Sequence, residues 1–223
     1  MHRIKTFLLA VGSLLLMAAS CSDNNSPQVT EPEETSEIIE TPSFYYGADL
    51  SYVNEMENCG AIYKDANNIN TNPYKIFKNA GANLVRVRLW HNPTWTDYSN
   101  YADVKTTIQK AKDQGMRVLL DFHYSDTWTD PSKQKIPAAW ESEIDNKEAL
   151  GELLYNYTYE TLNNLALANL LPEMVQIGNE INPMILQGEV LVWPIDWDRN
   201  SYLINKGIKA VRDISKEKNT EIE

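Results

Sequence analysis

The stretch Pro172–Pro183, PEMVQIGNEINP, decides how the rest of the chain is read. A short apolar run, Glu173–Gly178, follows a turn-marking proline and breaks off into the polar pair Asn179-Glu180 before a loop. That pattern is a buried strand delivering a carboxylate at its C-terminal edge. Barrels of parallel strands present their chemistry in this way.

The same unit recurs upstream. Phe44–Leu50 (FYYGADL) is a β-rich run ending in Asp49, and after an irregular segment to Asn72 the spacing predicts a helix over Pro73–Ala80, closed by Gly81. Asn83–Trp90 (NLVRVRLW) alternates strictly, and a helix over Ala102–Gln114 follows, closed by Gly115. Met116–Phe122 is a third apolar run, which breaks into His123-Tyr124-Ser125-Asp126. A loop carrying Trp128 and Trp140 leads to a helix over Asn146–Ala168. Beyond the opening stretch come a loop with Trp193 and Trp197, a helix over Arg199–Ser215, and Thr220–Glu223 as the start of a fifth strand.

Apolar strands alternating with helices predict a parallel sheet with covered faces. No Gly-rich phosphate loop follows the first strand, which removes the usual signature of a doubly wound nucleotide-binding sheet. All four strands end in polar or aromatic groups: Asp49, Trp90, His123 with Asp126, and Asn179 with Glu180. The expected fold is therefore a TIM (β/α)₈ barrel with its site at the C-terminal face. A complete barrel takes roughly 250 residues. Residues 44–223 supply only about four βα units, so the expectation is a barrel truncated after the fourth.

Composition narrows the chemistry. The formal charge of −11 argues against nucleic acid as a partner. Two cysteines, Cys21 and Cys59, cannot form a disulfide scaffold, and three histidines, His2, His91 and His123, cannot form a His-rich metal site. No metal or cofactor is expected, and carboxylates must carry any catalysis. Arg86 and Arg88 lie two apart on a strand and share a face, where buried charges need carboxylate partners such as Asp49 or Asp121.

Residues 1–21, MHRIKTFLLAVGSLLLMAASC, have the basic start, short apolar run and small residues of an export signal. Ending at a cysteine, the segment resembles a bacterial lipoprotein signal. This implies a secreted, lipid-anchored protein held to a membrane through Cys21, at the outer membrane or cell surface. Residues 22–43 are polar, acidic and proline-bearing, and read as a disordered linker.

Several motifs then converge: GADLSYVNEME from Gly47, NAGANLVRVRLWHNP from Asn79, DFHYSDTWTDPSKQ from Asp121, QIGNEI from Gln176 and VWPIDWDRNSYLINKGIKAVRD from Val192. Together they resemble the glycoside hydrolase family 53 endo-β-1,4-galactanases, barrels of clan A. The resemblance implies hydrolysis of β-1,4-galactosidic bonds in galactan or arabinogalactan with retention. Glu180 matches the family's acid/base and Asn179 its neighbour. The family's nucleophile is a glutamate after the seventh strand, which this sequence does not reach.

Retaining hydrolysis needs two carboxyl groups about 5–5.5 Å apart. Within that frame Asn179 is expected to donate to a sugar hydroxyl, and Arg86 or Arg88 to sit near the nucleophile. His123 and Asp126 are expected at the mouth, serving sugar hydroxyls or the acid/base network. Trp90, Trp128 and Trp193 are candidate sugar platforms. His91, Trp95, Trp140 and Trp197 read as structural. On sequence alone two alternatives stand beside hydrolysis of galactan: a surface glycan-binding lipoprotein without catalysis, and a clan relative acting on another β-1,4-glycan.

Overall fold

The computed structural model describes residues 44–223. The expectations for the signal at 1–21, lipidation of Cys21 and the linker at 22–43 lie outside those residues. Four strands, β1 (Gly47–Asp49), β2 (Leu84–Leu89), β3 (Arg117–Phe122) and β4 (Met174–Ile177), pair in parallel and in chain order. Unidirectional order is the barrel arrangement, since a doubly wound sheet reverses at a switch point. Thr220–Glu223 is not a strand, yet Glu223 hydrogen-bonds on both sides of β4's start, to Glu173 and Val175, so the chain runs beside that edge.

The connecting helices are α1 (Val53–Asn58), α2 (Pro73–Asn79), α3 (Tyr101–Asp113), α4 (Lys147–Leu167) and α5 (Trp197–Glu217), with a 3₁₀ turn at Ala138–Glu143. The last four helices start where a short polar side chain accepts a first-turn amide: Asn72 from Tyr74, Asn100 from Asp103, Asn146 from Ala149 and Asp196 from Arg199. α1 was read from sequence as irregular. It has six residues and no side-chain cap, too short for a periodic signal, and only Gly60, at φ +86° just past its end, marks its stop.

Alternation along β2 and β3 sorts the sheet into two unlike faces. Val85, Val87, Leu89, Val118, Leu120 and Phe122 are buried in one core with Val104 and Ile108 of α3, Leu154 and Leu162 of α4, and Leu203 and Val211 of α5. Each such side chain stabilises by about 1.5–3 kcal/mol when fully buried. Gly207 lets α5 approach β4, because a Cβ there would lie 2.8 Å from Cγ2 of Ile177. Ile208 is exposed, one position around from the buried stripe of α5. The opposite face carries Arg86, Arg88, Asp121 and His123. Among the described residues, helices cover only the first face, as expected of units from a barrel.

Candidate active site

The polar face is organised by Arg86. Its guanidinium donates to Asp49 at 2.6 Å, to Asp121 at 2.5 Å and to the side-chain oxygen of Asn179 at 2.8 Å, tying β2 to the C-terminal ends of β1, β3 and β4. Asp121 is fully buried, and this pairing offsets the cost of burying it. Burial would raise the pKa of Asp49, but hydrogen bonds from Ser51 and the Arg86 guanidinium outweigh it and hold the carboxyl below its ordinary value.

Arg88 overturns the expectation of a carboxylate partner. It is buried, its Nε donates to Ser99 at 3.1 Å, and its guanidinium lies 4.1 Å from the Trp128 ring and 4.6 Å from those of Tyr52 and Trp90. Stacking on three rings replaces the ion pair. Burial pulls its pKa down, opposed by Tyr52 and Asp49.

His123 is buried between β3's end and Trp90. The indole N–H of Trp90, a donor only, points at Nδ1 at 3.3 Å, and the Thr129 hydroxyl lies 3.1 Å from the same nitrogen. Nδ1 is therefore the acceptor and the proton sits on Nε2, 3.1 Å from Asp121. His123 thus lies buried between Asp121 and the tryptophans, with no face open to a sugar hydroxyl. Trp90 is corrected as well: at 2 % exposure it has no ring face left for a sugar. Asp126 accepts from the amides of Asn92 and Ala138, both at 2.9 Å, and lies 3.2 Å from His91 Nδ1, so both its oxygens hold loops in place. His91 is structural, as read, wedged against Trp140 and Tyr157, and burial lowers its pKa against the pull of Asp126.

Two rings do remain open at this mouth. Trp128 is 40 % exposed, and Trp95, read from sequence as structural, is 59 % exposed. Trp95 packs 5.0 Å from Trp90 and its Nε1 donates to the Asp126 carbonyl at 3.1 Å, so it is held at a fixed angle. Its place in the loop after β2 was the available signal. Trp193 is exposed too, but it makes no aromatic or polar contact with this network among the described residues.

The carboxylate itself sits on a contorted turn. Gly178 has φ +86°, and a Cβ there would lie 2.5 Å from Cγ2 of Ile181. Glu180 has φ +50°, a conformation costing a non-glycine residue on the order of 1–3 kcal/mol. Asn179, 7 % exposed, is clamped by Arg86 and by its own amide donating to the Thr129 carbonyl at 2.8 Å. That leaves one amide hydrogen of Asn179 for a ligand. The Glu180 residue is exposed. A cleft of about 470 Å³ opens nearby between the start of α4 and the loop before α5, lined by Glu148, Met184, Asp196 and Asn200, but none of the residues of the Arg86 network lines it. The backbone conformation and the bonds that clamp Asn179, not the depth of the groove, single out the Glu180 turn. No group of three or more His, Cys, Asp or Glu side chains is placed to hold a metal among the described residues.

Parallel βα units in chain order, with a carboxylate and its amide neighbour on the turn after β4, define a (β/α)₈-barrel protein with a polar site at the strand ends. The model of Glycosyl hydrolase family 53 matches residues 45–222, and the chain belongs to that family. It is 56 % identical over 181 residues to an arabinogalactan endo-beta-1,4-galactanase of Cellvibrio japonicus, covering 80 % of this chain and 48 % of that protein. Among solved structures, the GH53 catalytic domain of Ignisphaera aggregans superposes with a TM-score of 0.70 at 36 % identity, over 78 % of this chain and 49 % of that one. A fungal beta-1,4-galactanase structure gives 0.68 at 38 % identity, over 76 % and 49 %. The chain spans about half the length of the curated relatives it matches.

Proposed function

We propose that the protein carrying these four βα units hydrolyses β-1,4-galactosidic bonds within galactan or arabinogalactan, with Glu180 as proton donor and then base. The observation that carries this is the Glu180 turn: an exposed carboxylate held at φ +50° beside an Asn179 side chain fixed by Arg86 and Thr129. The substrate follows from similarity to galactanases across the described residues.

In the first step Glu180 protonates the leaving glycosidic oxygen while a second carboxylate attacks the sugar carbon. In the second step Glu180 takes a proton from a water that attacks the same carbon and displaces the second carboxylate, so configuration is retained. Asn179 donates its remaining amide hydrogen to a hydroxyl next to the reacting carbon, where hydrogen bonds strengthen in the transition state. Trp128 and Trp95 offer ring faces to the C–H side of galactose. Following the resemblance to the family, we assign the nucleophile to a glutamate after the seventh strand of the family's barrel, outside these four units.

The test is release of reducing ends by the protein at the full length its gene encodes, offered β-1,4-galactan, arabinogalactan, mannan and cellulose. Hydrolysis of the two galactans supports the proposal. Galactan binding without release would leave a glycan-binding protein, and preference for mannan or cellulose would move the substrate within the clan. Export and lipid anchoring at Cys21 form a separate proposal, resting on the 1–21 pattern. Mass spectrometry of the mature N-terminus, with Cys21→Ala as control, should show an acylated cysteine, and an unmodified one would refute it.

A further inference from the structure

We infer that Gln134 is a positioning residue for the acid/base carboxylate, an inference that rests on the role proposed for Glu180. Gln134 lies in the loop after β3, is 2 % exposed, and its side chain crosses to the turn after β4. Its Nε2 donates to the carbonyls of Asn179 at 2.9 Å, Glu180 at 3.3 Å and Asp130 at 3.0 Å. Two hydrogens are thus shared among three acceptors, two of which belong to the peptide groups on either side of the Glu180 Cα.

The backbone reinforces this grip. The Gln187 amide donates to the Gln134 carbonyl at 2.6 Å and the Ile136 amide to the Gln187 carbonyl at 2.7 Å, so the two loops are stitched for several residues. Glu180 adopts positive φ with a side chain that gains nothing from it, and such a conformation persists only when its surroundings over-determine it. Gln134 is the one side chain among the described residues that bonds the carbonyls of both Asn179 and Glu180. A buried donor pair aimed at carbonyls, rather than at a side chain, fixes where the peptide points and therefore where the carboxylate stands.

The test compares Gln134→Met, which keeps length and burial but removes both donors, with Lys135→Ala, which breaks the neighbouring Lys135–Glu189 ion pair across the same two loops without touching the Glu180 peptide. Both are made in the full-length protein. With β-1,4-galactan, kcat/KM of Gln134→Met should fall at least about tenfold, while with a dinitrophenyl β-galactobioside, whose leaving group needs no proton, it should stay within about twofold. Lys135→Ala should keep both values. Equal losses on the two substrates would mean a purely structural role and would overturn the inference. Hydrogen exchange across 179–182 tests the same point without substrate. It should quicken in Gln134→Met and not in Lys135→Ala, and unchanged exchange overturns the inference whether or not galactan is hydrolysed. If the unaltered protein hydrolyses neither substrate, the functional reading has failed and the exchange result alone judges Gln134.

Discussion

The two faces of the four-stranded sheet share the same strands and differ in what holds them. Val85, Val87, Leu89, Leu120 and Phe122 face the helices in a packed apolar core, whereas Arg86, Arg88, Asp121 and His123 face the other way in a network of charge and aromatic rings. On the first face many contacts share the stabilisation, each replaceable by a similar volume. On the second a few directional bonds fix a few atoms, and no neighbour can take over. A barrel can thus separate folding from chemistry across the thickness of one sheet.

Breaking the network at its hub should have the largest effect. Arg86→Ala leaves the buried Asp121 without its guanidinium, with only the His123 imidazole beside it, and should destabilise by about 3–5 kcal/mol in chemical denaturation. The double variant Arg86→Met with Asp121→Leu should restore most of that stability, because apolar replacement of a buried pair is often neutral. Its activity should stay lost, since Asn179 loses its clamp. Activity returning with stability would show that the polar face serves folding alone.

On the helix face Leu120→Ala should cost about 2–5 kcal/mol. Here the loss should appear in Tm and leave kcat on galactan nearly unchanged below the melting range. A large fall in kcat would mean that the two faces are coupled.

The smallest effect is the pH dependence of stability. Burial lowers the pKa of His91 in the fold, so its contribution is fully present above about 6.5 and lost as pH falls from there through the folded value. Asp49 is also lowered in the fold, and its contribution disappears at more acid pH, below about 4. Melting temperature should therefore decline on acidification in two steps, and His91→Gln should flatten the first. An unaltered profile in His91→Gln would move that step to another group.

The apolar face was legible in the sequence because period-two alternation and asparagine caps are local signals. Glu180 was legible for a similar reason, an apolar run ending in a polar pair. The aromatic seat of Arg88 was not, since Tyr52, Trp90 and Trp128 are far apart in the chain and meet only when β1, β2 and β3 align. Trp90 read as a platform because a tryptophan at a strand end gives no sign of whether its ring will be covered. Gln134 left no trace, because a side-chain amide bonding backbone carbonyls has no partner residue type to look for.

The central claim is that Glu180 donates the proton, and it is tested most directly by Glu180→Ala in the full-length protein assayed on two substrates. The account predicts that kcat/KM for β-1,4-galactan falls by about 10²–10⁴-fold, while kcat/KM for the dinitrophenyl galactobioside falls by less than about tenfold. A variant that hydrolyses galactan at the rate of the unaltered protein would contradict it.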